Sequence, residues 1–118
     1  MRSILIVEDD GTILDLLALA VGGSYRPRIA QSGEEGLEAL RESTPDVVLT
    51  DLDINGFPGE RLAAEALRLA RPPIVFVMSG DASRLLRAAG LADRAFAKPF
   101  AISELLSALR ECAPGRES

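Results

Sequence analysis

Apolar residues along this chain fall into two kinds of run. Ser3 to Val7 is nearly continuous and ends in Glu8-Asp9-Asp10, the pattern of a buried strand. Thr12 to Val21 spaces Ile13, Leu16, Leu17 and Ala20 as one face of a helix, stopped by Gly22-Gly23. Tyr25 to Ala30 is a weaker strand, and Pro27, with no N–H for a ladder, assigns it to a sheet edge. Ser32 with Glu35 fits a capping box, opening a helix that carries Leu37 and Leu40 and ends before Pro45. Asp46 to Thr50 is a third strand running into Asp51, and Leu52 to Phe57 reads as a loop. A helix with Leu62, Ala63, Ala66, Leu69 and Ala70 follows Pro58-Gly59 and ends at Arg71-Pro72-Pro73. Ile74 to Met78 is the most apolar run, a central strand, closed by the turn Ser79-Gly80-Asp81. A short helix carries Leu85, Leu86 and Ala89; Arg94 to Ala97 is a fifth strand, broken by Lys98-Pro99; Ile102, Leu105, Leu106 and Leu109 mark a last helix.

Five strands alternating with five helices predict a parallel sheet covered on both faces. In such sheets the ligand crevice lies beyond the carboxyl ends of the strands. At 118 residues the chain is one domain, expected over 1–112, with 113–118 as a C-terminal tail or linker stub. No window approaches the ~18 apolar residues of a membrane span. Four apolar residues followed by three acids are not a signal peptide, so a cytoplasmic protein with no membrane partner is expected. The net charge of −5 argues against direct nucleic-acid binding by this chain. With no His and one Cys, imidazole-based catalysis, a Cys/His zinc site and an internal disulfide are excluded. Cys112 reads as a small hydrophobe at the edge of the last helix. Of the 13 cations only Lys98 is lysine; a bias toward Arg explains the other twelve, not the survivor.

The strand ends gather complementary chemistry. The first delivers Glu8, Asp9 and Asp10, the third Asp51 with Asp53 close behind, the fourth Ser79-Gly80 and the fifth Lys98. A single acid after a strand is usually solvated or caps the next helix, as Asp10 is placed to do. Clustered carboxylates repel by about 3 kcal/mol per pair at ~5 Å and an effective dielectric near 20, and persist if a cation joins them. All-oxygen ligands in an open site suit Mg²⁺ better than Ca²⁺. A metal, an ammonium and a hydroxyl around a carboxylate form a cradle for a phosphoryl group, and the carboxylate can itself be the nucleophile.

These residues carry a resemblance. Ile4-Leu5-Ile6-Val7-Glu8-Asp9-Asp10, Pro45 to Asp51, Val77-Met78-Ser79-Gly80 and Lys98-Pro99-Phe100, in this order and spacing, resemble the response-regulator receiver domains of two-component signalling. The resemblance implies a three-layer, flavodoxin-like (βα)5 fold with a five-stranded parallel sheet of order 2-1-3-4-5. It implies Asp51 as the acceptor of a phosphoryl group from a phosphohistidine on a sensor histidine kinase or histidine phosphotransfer protein, with an unspecified downstream effector. It implies Mg²⁺ (or Mn²⁺) held by Asp9 and Asp51 directly, by Glu8 through water and by the backbone carbonyl of Asp53. Ser79 would hydrogen-bond the phosphoryl group and Lys98 would pair with it, after a cis Lys98–Pro99 bond. Gly80 and Asp81 would border access to the site. A receiver of this kind catalyses only its own phosphotransfer and dephosphorylation.

The chain departs from the family pattern in several places, among them a Gly90 to Lys98 stretch about one residue longer than is common. Asn55 replaces the usual Pro of the loop after Asp51, although Gly59 matches the small residue expected there. Ala95 stands where an aromatic switch residue is usual, with Phe96 one place late and expected to face the core. Ala101 replaces the usual Asp cap of the last helix. Without a ring at Ala95, phosphorylation is expected to act on the loops after Asp51 and Ser79 and on the helix from Ser83 to Ala89. Two rival readings remain at this stage: a haloacid-dehalogenase-type phosphatase, from the Asp51-Leu52-Asp53 pattern, and a pseudo-receiver that only binds partners.

Overall fold

The computed structural model describes residues 1–112; the expected tail or linker stub at 113–118 lies outside the described residues. Strands β1 (Arg2–Val7), β2 (Tyr25–Ala30), β3 (Val47–Asp51), β4 (Ile74–Ser79) and β5 (Arg94–Ala97) form one sheet. Helices α1 (Gly11–Val21), α2 (Gly33–Glu42), α3 (Gly59–Leu67), α4 (Ala82–Arg87) and α5 (Ile102–Cys112) alternate with them. The strand order is β2-β1-β3-β4-β5 and every pairing is parallel, the flavodoxin-like order the resemblance implies. β2, with its Pro27, is an edge as expected.

Successive residues of a strand face opposite sides, and here both sides are dry. Ile4, Ile6, Leu49, Phe76 and Met78 pack under α1 and α5, against Leu17, Leu105 and Leu109. Leu5, Val7, Val48, Val75 and Val77 pack under α2, α3 and α4, against Leu37, Leu62 and Leu85. Each such side chain contributes about 1.5–3 kcal/mol by leaving water, which is why the strands read as unbroken apolar runs.

Helices α1, α2 and α4 start on side-chain caps, whereas α3 follows Pro58 without one. Asp10 accepts from the N–H groups of Thr12 and Ile13, and Ser32 Oγ accepts from Glu35 N–H. The Glu35 carboxylate reaches back to Gln31 N–H, one residue before the cap. At α5, where the usual Asp is Ala101, Glu104 accepts Ala101 N–H at 3.0 Å instead. Arg28 of β2 donates to the carbonyls of Ala39 and Ser43, tying the end of α2 to the sheet edge.

Several expectations need correction. The inward face of α1 is Leu14, Leu17 and Val21, rotated from the predicted one, and Leu16 is 55% exposed. The segment is apolar nearly all round, so its periodicity selects no face and packing on β1 and α5 decides. Helix α3 ends at Leu67 rather than Ala70, because the N–H groups of Arg68 and Leu69 close three-residue turns onto Glu65 and Ala66. The helix after Asp81 breaks at Ala88 into a single 3₁₀ turn, Ala89–Leu91.

The segment read as a loop after Leu52 contains a small hairpin, Asp53–Ile54 against Phe57–Pro58. Its turn is Asn55-Gly56, both with positive φ (52° and 85°), a pair of conformations that Asn-Gly adopts readily. That signal was present in the sequence. Phe57 of the hairpin lies on Gly33 at the start of α2, where any Cβ would strike its ring.

Candidate functional site

The sheet register brings the four strand ends level. Val7 pairs with Thr50, Asp51 with Met78, and Ser79 with Ala97. Each residue that follows, or ends, those strands therefore emerges at one edge: Glu8, Asp51, Ser79 and Lys98. Glu8, Asp51 and Ser79 are buried, at 1%, 7% and 6% exposure, and Asp9 is half-buried beside them. Carboxylate oxygens of Glu8, Asp9 and Asp51 all lie within 4.8 Å of one another.

Lys98 answers that charge. Its Nζ donates to Glu8 Oε1 at 2.7 Å and to Asp51 Oδ2 at 2.8 Å. Burial pushes the Glu8 carboxyl above its usual range; the bonds from Lys98 and Asp10 N–H oppose this, and the Asp51 charge adds to it. Desolvation works against the Lys98 ammonium, but bonds to Asp51 and Glu8 outweigh it and hold its pKa above that of an ordinary lysine. The Lys98–Pro99 bond is cis.

The acids divide by role. Glu8 and Asp9 face the crevice, whereas Asp10 turns away to cap α1. Asp53 approaches Asp51 with its main chain, its N–H donating to Asp51 Oδ1 at 3.2 Å, while its carboxylate accepts Gly56 N–H inside the hairpin. Asp81 gives its N–H to Ser79 Oγ at 3.0 Å and spends its carboxylate on capping α4. Gly80, between them, is exposed. Gly59 touches the backbone of the site: a Cβ there would collide with the carbonyl of Asp51 and with Leu52 Cα, which is the physical cause of a small residue at this position.

Ala95 and Phe96 take the places expected from strand alternation. Register runs unbroken through β5, with Ala95 exposed and Phe96 buried. The Phe96 ring lies between Phe76 and Phe100, at centroid distances of 5.4 and 5.2 Å. Sequence reasoning missed a bidentate pair near the site, Glu60 with Arg84. No local pattern announces it, since 24 residues separate the two and only the packing of α3 beside α4 joins them.

A parallel α/β sheet whose carboxyl edge collects three acids, a hydroxyl and one ammonium defines a flavodoxin-like domain with an acidic, cation-ready crevice. The response regulator receiver domain family matches residues 4–110, and the chain belongs to it. The transcriptional regulatory protein BaeR of Escherichia coli O6:H1 is 35% identical over an alignment covering 97% of this chain and 50% of that protein. The chain spans about half the length of the curated relatives that it matches across nearly all of its own length. Among solved structures, a CheY-like receiver domain protein from Methanospirillum hungatei JF-1 superposes with a TM-score of 0.89 at 27% identity, covering 99% of this chain and 97% of that one. The response regulator TrrA of Thermotoga maritima, solved with Mg²⁺-BeF, shares the fold with a TM-score of 0.85 at 24% identity, covering 94% of this chain and 98% of that one. The family match includes Asp51-Leu52-Asp53, whose acids stand at the end of the third strand. Among the described residues no helix is long and apolar enough to cross a membrane.

Proposed function

We propose that this chain is a phosphoacceptor: Asp51 takes a phosphoryl group from a phosphohistidine, and the change is read by a downstream effector. The observation that carries this is Lys98 Nζ set between Glu8 and Asp51 in a cluster of three carboxylates. In the transfer, a carboxylate oxygen of Asp51 forms a bond to phosphorus as the P–N bond to the donor imidazole breaks, and the imidazole leaves with the bonding pair. Lys98 balances charge on the phosphoryl oxygens, and the Ser79 hydroxyl donates a hydrogen bond to one of them. The donor set fits a hard divalent cation: Asp9 and Asp51 as direct ligands, Glu8 through water, and the Asp53 carbonyl. When bound, Mg²⁺ or Mn²⁺ supplies charge neutralisation for the incoming dianion.

The donor is a sensor histidine kinase or histidine phosphotransfer protein. It must bring an imidazole against Asp51, and a groove of about 430 Å³ lined by Ile13, Leu16, Leu17, Phe100 and Ile102 opens beside the site, sharing Lys98 with it. Exposed Leu16 gives this rim apolar surface for such a partner. Residues 1–112 are the receiver unit in this reading, with 113–118 a C-terminal tail or linker stub.

Incubation with acetyl phosphate or phosphoramidate, with Mg²⁺ or with chelator, tests the reading by intact mass. We expect one phosphoryl group on the wild type with Mg²⁺, almost none in chelator, and none on Asp51→Asn. Equal labelling of Asp51→Asn, or none on the wild type, overturns it; the latter would leave a binding module of the pseudo-receiver kind.

A further inference from the structure

Two helices that leave the site are tied together by one guanidinium. Arg84 of α4 donates from Nε to Glu60 Oε2 and from Nη2 to Glu60 Oε1, both at 2.9 Å, and Glu60 lies in the first turn of α3. Helix α3 follows the hairpin after Asp51, and α4 follows Ser79-Gly80. Ser79 Oγ accepts Asp81 N–H, and the Asp81 carboxylate accepts Arg84 N–H. Polar contacts therefore run unbroken from the hydroxyl of the site to Arg84 and across to α3. The hydrogen bond to Glu60 does most to strengthen the Arg84 guanidinium's hold on its proton, and the charges of Asp53 and Asp51 add to it. The guanidinium is held on Glu60, whose chain neighbour Gly59 lies directly against the Asp51 carbonyl, so the bridge sits beside the crevice.

We propose that Arg84 is an auxiliary cation of the phosphorylated site, held off by Glu60 while Asp51 is free and drawn toward the phosphoryl group once it forms, so that the Glu60–Arg84 bridge reports phosphorylation to the α3–α4 surface. This rests on Asp51 being the phosphoacceptor. Phosphorylation replaces one negative charge with roughly two, so the pull of the crevice on Arg84 rises while that of Glu60 does not. A Ser79 hydroxyl that turns to the phosphoryl group also gives up Asp81 N–H, loosening the same first turn of α4. That helix has six residues and one buried side chain, Leu85, so little packing resists its movement. Ala95 offers no ring that could carry the change along β5 instead, and Phe96 is fixed between two rings in the core.

Beryllofluoride with Mg²⁺ serves as the phosphoryl probe, its affinity read from the Gly80 amide resonance and the bridge from the Arg84 Nε–H resonance. Both substitutions to be compared lie on partly exposed side chains, and both variants are checked for wild-type melting within a few degrees. Glu60→Gln frees the guanidinium and should tighten beryllofluoride binding about two- to fivefold. Arg84→Gln removes the cation and should weaken binding by a similar factor. In the wild type the Arg84 Nε–H resonance should shift with the same midpoint as Gly80. Opposite effects from the two halves of one bridge are what a merely structural contact would not give. Any other pattern of affinities, or an Arg84 resonance that stays put while Gly80 titrates, overturns the inference and leaves the phosphoacceptor reading intact. No titration at Gly80 in any of the three proteins overturns both.

Discussion

Asp9 is the acid of the cluster that Lys98 does not reach. Glu8 and Asp51 share Lys98, whereas Asp9 has neither a cation nor a hydrogen bond of its own among the described residues. Its charge is therefore uncompensated until a divalent ion binds. Asp9→Asn should raise stability in chelator by on the order of 1–3 kcal/mol and remove most of the stabilisation that Mg²⁺ gives the wild type by mass action. Thermal melts of both proteins in chelator and in Mg²⁺ check this; an Asp9→Asn variant less stable in chelator contradicts it. At this scale much was legible beforehand, because residue type and position at a strand end are properties of the chain. Glu8, Asp9, Asp51, Ser79 and Lys98 converge as their places in the sequence require. What each remaining acid does with its carboxylate was not legible. Asp53 and Asp81 stand two residues beyond Asp51 and Ser79, yet one is occupied by a turn and the other by a helix cap. Those choices depend on backbone geometry that no spacing encodes.

Elements are where pattern and packing part company. Strands buried on both faces are unmistakable, since only such strands stay apolar at every position. A helix as apolar as α1 hides its own orientation, and the Asn55-Gly56 hairpin is small enough to pass for loop although its dipeptide marks it. The α3–α4 contact belongs entirely to packing. Arg84 pulls the Glu60 carboxyl below its ordinary value of 4.5, chiefly through the hydrogen bond. A depressed carboxyl stabilises the fold above its unfolded pKa, and that stabilisation is lost as pH falls through the lower folded one. The bridge should then contribute under about 1 kcal/mol at neutral pH, partly screened because both side chains are partly exposed, and fade below pH ~4. Comparing Glu60→Gln with wild type by urea unfolding from pH 7 to 3 should show a gap that closes on acidification. A gap that widens toward pH 3 would contradict the assignment.

Across the whole molecule, stability is graded from the sheet centre outward. β1, β3 and β4 are buried at almost every position, whereas β5 buries only Phe96 of its four residues and pairs on one side. Amides of Leu5, Val48 and Phe76 should exchange with solvent only on global unfolding. Those of β5 and α4 should open locally and exchange at least about tenfold faster, a difference of ~1.4 kcal/mol. Hydrogen exchange followed by NMR tests the gradient, and uniform protection across the sheet would refute it. Such a gradient places the pliant part of the fold beside Ser79 and Lys98, where a change at Asp51 must be transmitted.

The ammonium that quiets Glu8 and Asp51 lies 90 and 47 residues further along the chain. On a ribosome adding ~5–20 residues per second, Asp51 waits roughly 2–10 seconds for its lysine to be made. Through that interval the residues of β1 and β3 are already made, but the helix that covers their apolar face and the lysine that pairs with the acids are not. A nascent chain in this state is both sticky and internally repelled, and its carboxylates can be quieted only by protons or by metal ions from the surrounding fluid. The last fifth of the chain then delivers the lysine and the covering helix together, so a translation product ending before Lys98 forfeits the balanced site and the closed core at once.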